Sequence, residues 1–168
     1  MLDTGAENSE SQIEQILRKY SNMVYRLAYA RTKNRADAQD LLQEVFFRCL
    51  KSNVQFNDDE HCKAWLIRTT INCSKSLLSS AWFSKTVSMK ENLPDSLHNL
   101  EDEKSEIFYA VLELPVKYRM VVHLYYYEDY SVAELSKLLN RKESTVKTQL
   151  YRARELLKQK LKGEYDYV

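Results

Sequence analysis

Residues 131–161 read SVAELSKLLNRKESTVKTQLYRARELLKQKL, and this stretch decides the fold. Ser131 stands before a helical pattern with Glu134 three positions on, the reciprocal cap in which each side chain satisfies the other residue's backbone N–H. Asn140 stops it, being one of the few residues that tolerates a left-handed backbone. A second helix is predicted from about Lys142 to about Leu161. Two helices joined by so short a turn, the second one basic, form the pattern of a helix-turn-helix. Val146 and Leu150, four apart, face inward. Lys142, Ser144, Thr145, Lys147, Thr148, Tyr151 and Arg152 are left partly outward.

Charge agrees with this reading. The formal net charge of the 168-residue chain is only +1, but residues 141–162 hold eight bases against two acids. Compensating acids gather at 37–44, 58–60 and 101–103. A basic C-terminal helix with acidic patches upstream suits one polyanionic partner and one basic protein partner. A lone basic helix is more often a solvated surface. The cap, the turn and the local excess of six positive charges together turn the reading to DNA.

Working toward the N-terminus, residues 105–112 carry a helical pattern, and Pro115 starts a further helix at a position where no N–H is missed. Val121, Val122, Leu124 and Tyr125 are its core candidates. Residues 83–104 are polar, contain Pro94 and lose periodicity, so they read as a flexible linker. Before it, Ile13, Ile16, Leu17, Tyr20, Met23, Val24 and Leu27 give a helix over 11–31. Asn34 caps the next, whose stripe is Ala38, Leu41, Leu42, Val45, Phe46, Cys49 and Leu50. A loop at 52–61 leads to a helix over 60–80, where Trp65 at its spacing is more often core than exposed. The expected fold class is all-α: two small helical domains, at 11–82 and 105–162, joined by a flexible linker at 83–104.

Other classes find little support. Two glycines and two prolines are too few for the turns of a β-rich fold. No apolar run nears a membrane span of about 20 residues, and no secretory signal opens the chain, so a cytoplasmic protein without membrane insertion is expected. Cys49, Cys62 and Cys73 are widely spaced and read as small buried hydrophobes, with no metal expected. His61, His98 and His123 lie far apart, and there is no phosphate loop or nucleophile motif, so neither catalysis nor a cofactor is expected.

Residues 114–161 resemble region 4 of the extracytoplasmic-function sigma factors, group 4 of the sigma-70 family. The features are Leu114-Pro115, Arg119, the aromatic run Tyr125–Tyr127, Glu134-Leu135, Thr145-Val146-Lys147 and Arg152-Ala153-Arg154. The earlier half resembles their region 2 through residues 37–46 (DAQDLLQEVF), Ala64-Trp65-Leu66 and Ile71-Asn72. The resemblance implies a subunit that binds core RNA polymerase, at the β′ clamp helices and the β flap, and directs promoter recognition, DNA melting and initiation. It implies that region 4 docks on the minus-thirty-five element through Arg141, Lys142, Ser144, Thr145, Lys147, Thr148, Tyr151 and Arg152. Region 2 would contact polymerase through Asp37, Asp40, Gln43 and Glu44. The acids among them fall within about 60° of helix surface. Region 2 would also capture the melted minus-ten strand through Phe56, Lys63, Arg68, Asn72 and Lys75. An anti-sigma factor is the further partner implied. Where the family often has an acid and a base, this chain has Ser76 and Ser79, so fewer phosphate contacts and a shallower salt dependence are expected of region 2. The alternative is a helix-turn-helix regulator that is not a polymerase subunit.

Overall fold

The structure is a computed structural model describing residues 4–84 and 106–165, with side chains described over 12–79 and 106–163. The chain divides into two compact units, Met1–Lys90 and Glu91–Val168. The described residues contain helices and no strand.

The first unit is a three-helix bundle of α1 (Thr4–Thr32), α2 (Arg35–Lys51) and α3 (Asp59–Ser84). In α1 the steps of three and four from Tyr20 through Met23, Val24, Leu27 and Ala28 put one apolar stripe out of water. Lys33, at φ 56°, breaks the helix with a left-handed residue. Asn34 Oδ1 then accepts the Asp37 N–H at 3.0 Å, so the predicted cap starts α2. At the far end Ser52 donates its backbone N–H to Arg48 O and its hydroxyl to Cys49 O, satisfying two of the carbonyls of the last turn. Asp58 Oδ1 accepts the His61 N–H at 2.7 Å and opens α3. Lys19 Nζ meets Asp59 Oδ2 at 2.6 Å, and the Tyr20 hydroxyl donates to Asp59 O at 3.2 Å, tying the α3 start to α1. Leu41, Val45, Leu66 and Ile67 fill the centre, with all three cysteines buried around it. Thr70 and Ser74 are buried polar groups satisfied in place. Thr70 donates to Leu66 O, while Ser74 donates to Ile71 O and accepts from Arg31 Nε at 2.7 Å.

Two expected core positions face outward. Leu17 and Leu50 are 45% and 52% exposed: Leu17 precedes the buried stretch of α1, which begins at Tyr20, and Leu50 lies about 180° around α2 from the buried Leu41. Trp65 is half-buried instead of lying in the core. Its ring meets Phe56 edge to face at 5.8 Å, on the rim of the bundle.

The second unit comprises α4 (Glu106–Leu112), α5 (Val116–Val122), a wide π turn (His123–Tyr127), α6 (Val132–Leu139) and α7 (Glu143–Tyr165). Val111, Leu114, Tyr118, Val122 and Ala153 form a core against which Leu156 and Leu157 pack. Pro115 takes the cap position of α5, one place before the first helical residue. Its carbonyl accepts from the Tyr118 and Arg119 N–H groups at 2.9 and 3.0 Å. Arg119 is buried and donates from Nη1 to Leu112 O at 2.8 Å, closing the end of α4. Tyr130 N–H returns to Leu124 O across the π turn, with Asp129 left-handed at φ 57° between them. The linker expected at 83–104 overlaps the end of α3 at residues 83 and 84, and its remaining residues lie outside the described ones, as do the side chains of Trp82 and Phe83.

Candidate functional site

The site is built from the turn between α6 and α7. Ser131 Oγ accepts the Glu134 N–H at 3.1 Å, while Glu134 Oε2 accepts the Ser131 N–H at 2.8 Å, so the reciprocal cap is complete. Asn140 is left-handed, φ 51° and ψ 53°, and lets Arg141 N–H reach Ser136 O at 3.0 Å. Leu135 is fully buried, and α7 answers with Val146, Leu150 and Ala153 at 0, 2 and 0% exposure. Counted at 100° per residue, those three α7 residues and Leu157 span an arc of about 60°. Ser144, Thr145, Lys147, Thr148, Tyr151 and Arg152 spread over about 160° on the opposite side, all exposed. Lys142 precedes α7 and is exposed as well. Arg141 differs: it is half-buried, and its Nη1 donates to Gln149 Oε1 at 2.9 Å, bracing the turn against the second helical turn of α7. The result is one helix with a face sealed into the core and a hydroxyl- and cation-bearing face left open, its N-terminal turns first.

In the three-helix unit, α2 presents a second open face. Asp40, Gln43 and Glu44 are exposed and Asp37 partly so. Glu44 is not a free carboxylate, since Arg48 Nε lies 2.6 Å from its Oε1, one turn along the same helix. The same face continues into Phe47 and Leu50, 51% and 52% exposed, where Lys51 Nζ sits 4.6 Å from the Phe47 ring centre. Sequence reading overlooked Phe47 as a surface group. Its signal was there in the 40, 43, 47, 50 spacing, which is that of a single helical stripe.

On α3, Arg68, Asn72 and Lys75 are exposed at steps of four and three, within about 60° of one another. His61 and Trp65 extend the stripe toward the helix start, and Phe56 packs on both rings, 5.5 Å from His61 and 5.8 Å from Trp65. Phe56 is therefore joined to the stripe by aromatic contact. Lys63 is partly buried and lies about 140° around α3 from Arg68, so the helix does not bring it to that stripe.

Two family descriptions fit these halves: Sigma-70 region 2 over residues 16–83 and Sigma-70, region 4 over residues 104–157. ECF RNA polymerase sigma factor SigM of Bacillus subtilis (strain 168) is 32% identical over 155 residues, covering 87% of this chain and 93% of that relative. This chain belongs to the ECF RNA polymerase sigma factors. RNA polymerase sigma factor SigV of the same organism is 28% identical over 143 residues, covering 83% and 85%. In fold, the chain is similar to sigma factor RpoE of Bartonella quintana, solved in complex with the anti-sigma factor NepR. The TM-score is 0.70 at 19% identity, over 90% of this chain and 97% of that one. As an ECF sigma factor the chain is an RNA polymerase subunit that directs promoter-specific transcription initiation, which overturns the alternative of a regulator outside the polymerase.

With region 4 identified, its shared motifs gain physical roles. Arg119 closes α4, Ala153 is core, and Arg154 holds the π turn. The Arg154 guanidinium donates to the Tyr126 hydroxyl at 2.7 Å and lies 5.7 Å from the Tyr125 and Tyr126 ring centres. In the Arg152-Ala153-Arg154 triplet of this sigma factor, only Arg152 thus stands on the open face. No helix among the described residues is long and apolar enough to cross a membrane. No cluster of three or more histidine, cysteine or acidic side chains among them is placed to hold a metal.

Proposed function

We propose that region 4, residues 105–162, seats α7 in the major groove of the minus-thirty-five element. Lys142, Ser144, Thr145, Lys147, Thr148 and Tyr151 face base edges and nearby phosphates, while Arg152 neutralises backbone charge. Arg141 holds the turn in register for them. Region 2, residues 11–82, grips the β′ clamp helices through Asp37, Asp40, Gln43 and Glu44, whose carboxylates suit arginines of a partner helix. Its α3 stripe of Arg68, Asn72 and Lys75, with Phe56 at one end and Lys63 behind, takes the melted minus-ten strand. Unpaired bases expose faces for stacking, and amides such as Asn72 meet their edges. Residues 83–104 form the linker, and the second contact of region 4 is the β flap. The chain has no catalysis of its own and works in the cytoplasm. Its activity is held in check by an anti-sigma protein, a reading supported by the RpoE–NepR likeness.

The single observation behind this reading is the opposition of the two α7 faces, one apolar and buried, the other cationic and open. The test is transcription in vitro with core polymerase and a genomic template. Wild-type chain should yield transcripts with defined starts. The triple variant Lys142→Ala, Lys147→Ala, Arg152→Ala should lose them while still joining polymerase. Lys75→Ala should slow promoter opening more than Lys90→Ala. Undiminished transcripts from the triple variant would refute the region 4 assignment, and equal opening by the two single variants would refute that of α3.

A further inference from the structure

In the three-helix unit a groove of about 340 Å³ opens between the early turns of α1 and the start of α3. The buried part of its lining is apolar. Tyr20 and Cys62 are out of water, and Ile16 and Phe56 are half-buried. Its rim is polar and exposed, with the Gln12 and Gln15 amides on α1 and Asp58 and Asp59 opposite them. Lys19 is the one cation in the lining, and its Nζ is already 2.6 Å from Asp59 Oδ2. Asp58 Oδ1 accepts the His61 N–H at 2.7 Å, a bond that engages one oxygen and leaves the charge in place. One lysine against two aspartates gives the lining one net negative charge.

Charge and shape together select the occupant. An anion is turned away by the two aspartates, and a purely apolar group would strip water from their carboxylates without replacing it. A long side chain with an apolar stem and a cationic end suits both parts of the lining. Arginine fits better than lysine. Its planar guanidinium stacks on a ring such as Phe56 and forks onto a carboxylate, whereas an ammonium is a strongly hydrated point charge. The side-chain carbonyls of Gln12 and Gln15 accept the N–H groups that remain. The Lys19–Asp59 pair is a weak barrier, since its side chains are 53% and 73% exposed and the pair is screened by water. Apolar ground continues outside the groove, where the exposed Leu17 lies within about 60° of Tyr20 on α1. The geometry points to a docking seat for an arginine of a protein partner. Asp58, Asp59 and Gln15 hold the guanidinium, and an apolar residue next to that arginine covers Leu17. The seat is separate from the face assigned above to polymerase, because none of Asp37, Asp40, Gln43 and Glu44 lines it.

The seat is tested by NMR titration of the isotope-labelled full chain with N-acetyl-arginine amide. Backbone amides of residues 12–20 and 56–62 should shift together. The dissociation constant should be about 1 mM, in keeping with a ligand of about fifteen heavy atoms. N-acetyl-citrulline amide, the uncharged isostere, should bind at least roughly ten-fold more weakly. Asp58→Asn keeps the cap of α3, since asparagine caps as well as aspartate, and should also lose about ten-fold. Lys19→Met, which releases Asp59, should bind the probe a few-fold more tightly, whereas a variant that only loosened the bundle would bind it less. Of the two capped dipeptides Leu-Arg and Arg-Leu, one should bind wild type roughly five-fold more tightly than the arginine amide, and Leu17→Ser should abolish that gain. Equal binding of the citrulline amide, undiminished affinity in Asp58→Asn, or shifts spread over residues 37–44 would overturn the seat. No gain from either dipeptide would overturn the protein partner and reduce the groove to a site for a free guanidinium.

Discussion

Leu135→Ala is the substitution that most directly probes how this sigma factor is built. Leu135 lies on α6 with none of its surface exposed, between the π turn and the inward stripe of α7. Truncation removes its transfer free energy and leaves a cavity that short, mutually braced helices cannot close, so the loss is about 2–5 kcal/mol. The described part of this unit has about 60 residues, and domains of that size hold about 3–9 kcal/mol in total. At the middle of both ranges about 2.5 kcal/mol remains, so the helix-turn-helix is left marginal. The three-helix unit has its own core around Leu27, Leu41 and Leu66 and should not notice. Amide hydrogen exchange on the full chain reads both at once. Peptides from α5, α6 and α7 should lose at least about 2 kcal/mol of protection, and those from α1, α2 and α3 should keep theirs. Promoter-specific transcription should fail while binding to core polymerase survives. A loss below about 1 kcal/mol in α6 and α7, or an equal loss in α2 and α3, would refute the reasoning.

Three further outcomes follow from particular contacts. Glu44 is engaged by Arg48, so Glu44→Gln should weaken binding to core polymerase less than Asp40→Asn, whose carboxylate is exposed; fluorescence titration of polymerase into labelled chain would check the order. Arg154→Ala removes a charged hydrogen bond and two ring contacts on an exposed surface, and should cost the region 4 unit about 1–2 kcal/mol, seen as a fall in its melting temperature of roughly 8–16 °C. The third concerns pH. Burial pushes the Cys62 thiol up to about 11, above the ordinary thiol value that holds once the chain unfolds. The folded state therefore favours the neutral thiol. Its contribution is fully present below about pH 9 and is lost as pH rises from there through about 11. The urea midpoint of wild type should fall through that window more steeply than that of Cys62→Ala, and parallel curves would count against it.

The helix-turn-helix was legible in the chain because its decisive signals are local. The capping box, Asn140 and the inward pair Val146 and Leu150 act over three or four residues, so spacing alone reports them. Likewise Asn34 announced the start of α2 from its own side chain. Stripes were less reliable toward their ends. Leu17 continues the apolar pattern ahead of the buried stretch of α1, Leu50 falls on the open side of α2 beside a buried Cys49, and Trp65 stops at the rim. Periodicity says which side of a helix is apolar and is silent on how far along that side another helix reaches.

Short-range chemistry in the residues themselves was therefore enough to specify helices, caps, the turn and the sign of charge on α7. Folding decided which polar groups remain available and which are spent on one another. Arg141 is bound to Gln149, Arg154 to Tyr126 and Glu44 to Arg48, while Lys117 of α5 comes to line one groove with Arg152 of α7, thirty-five positions later. The physical reason is distance. A hydrogen bond or ion pair depends on separations of about 3 Å, and between residues far apart in the chain such separations exist only once their helices have packed.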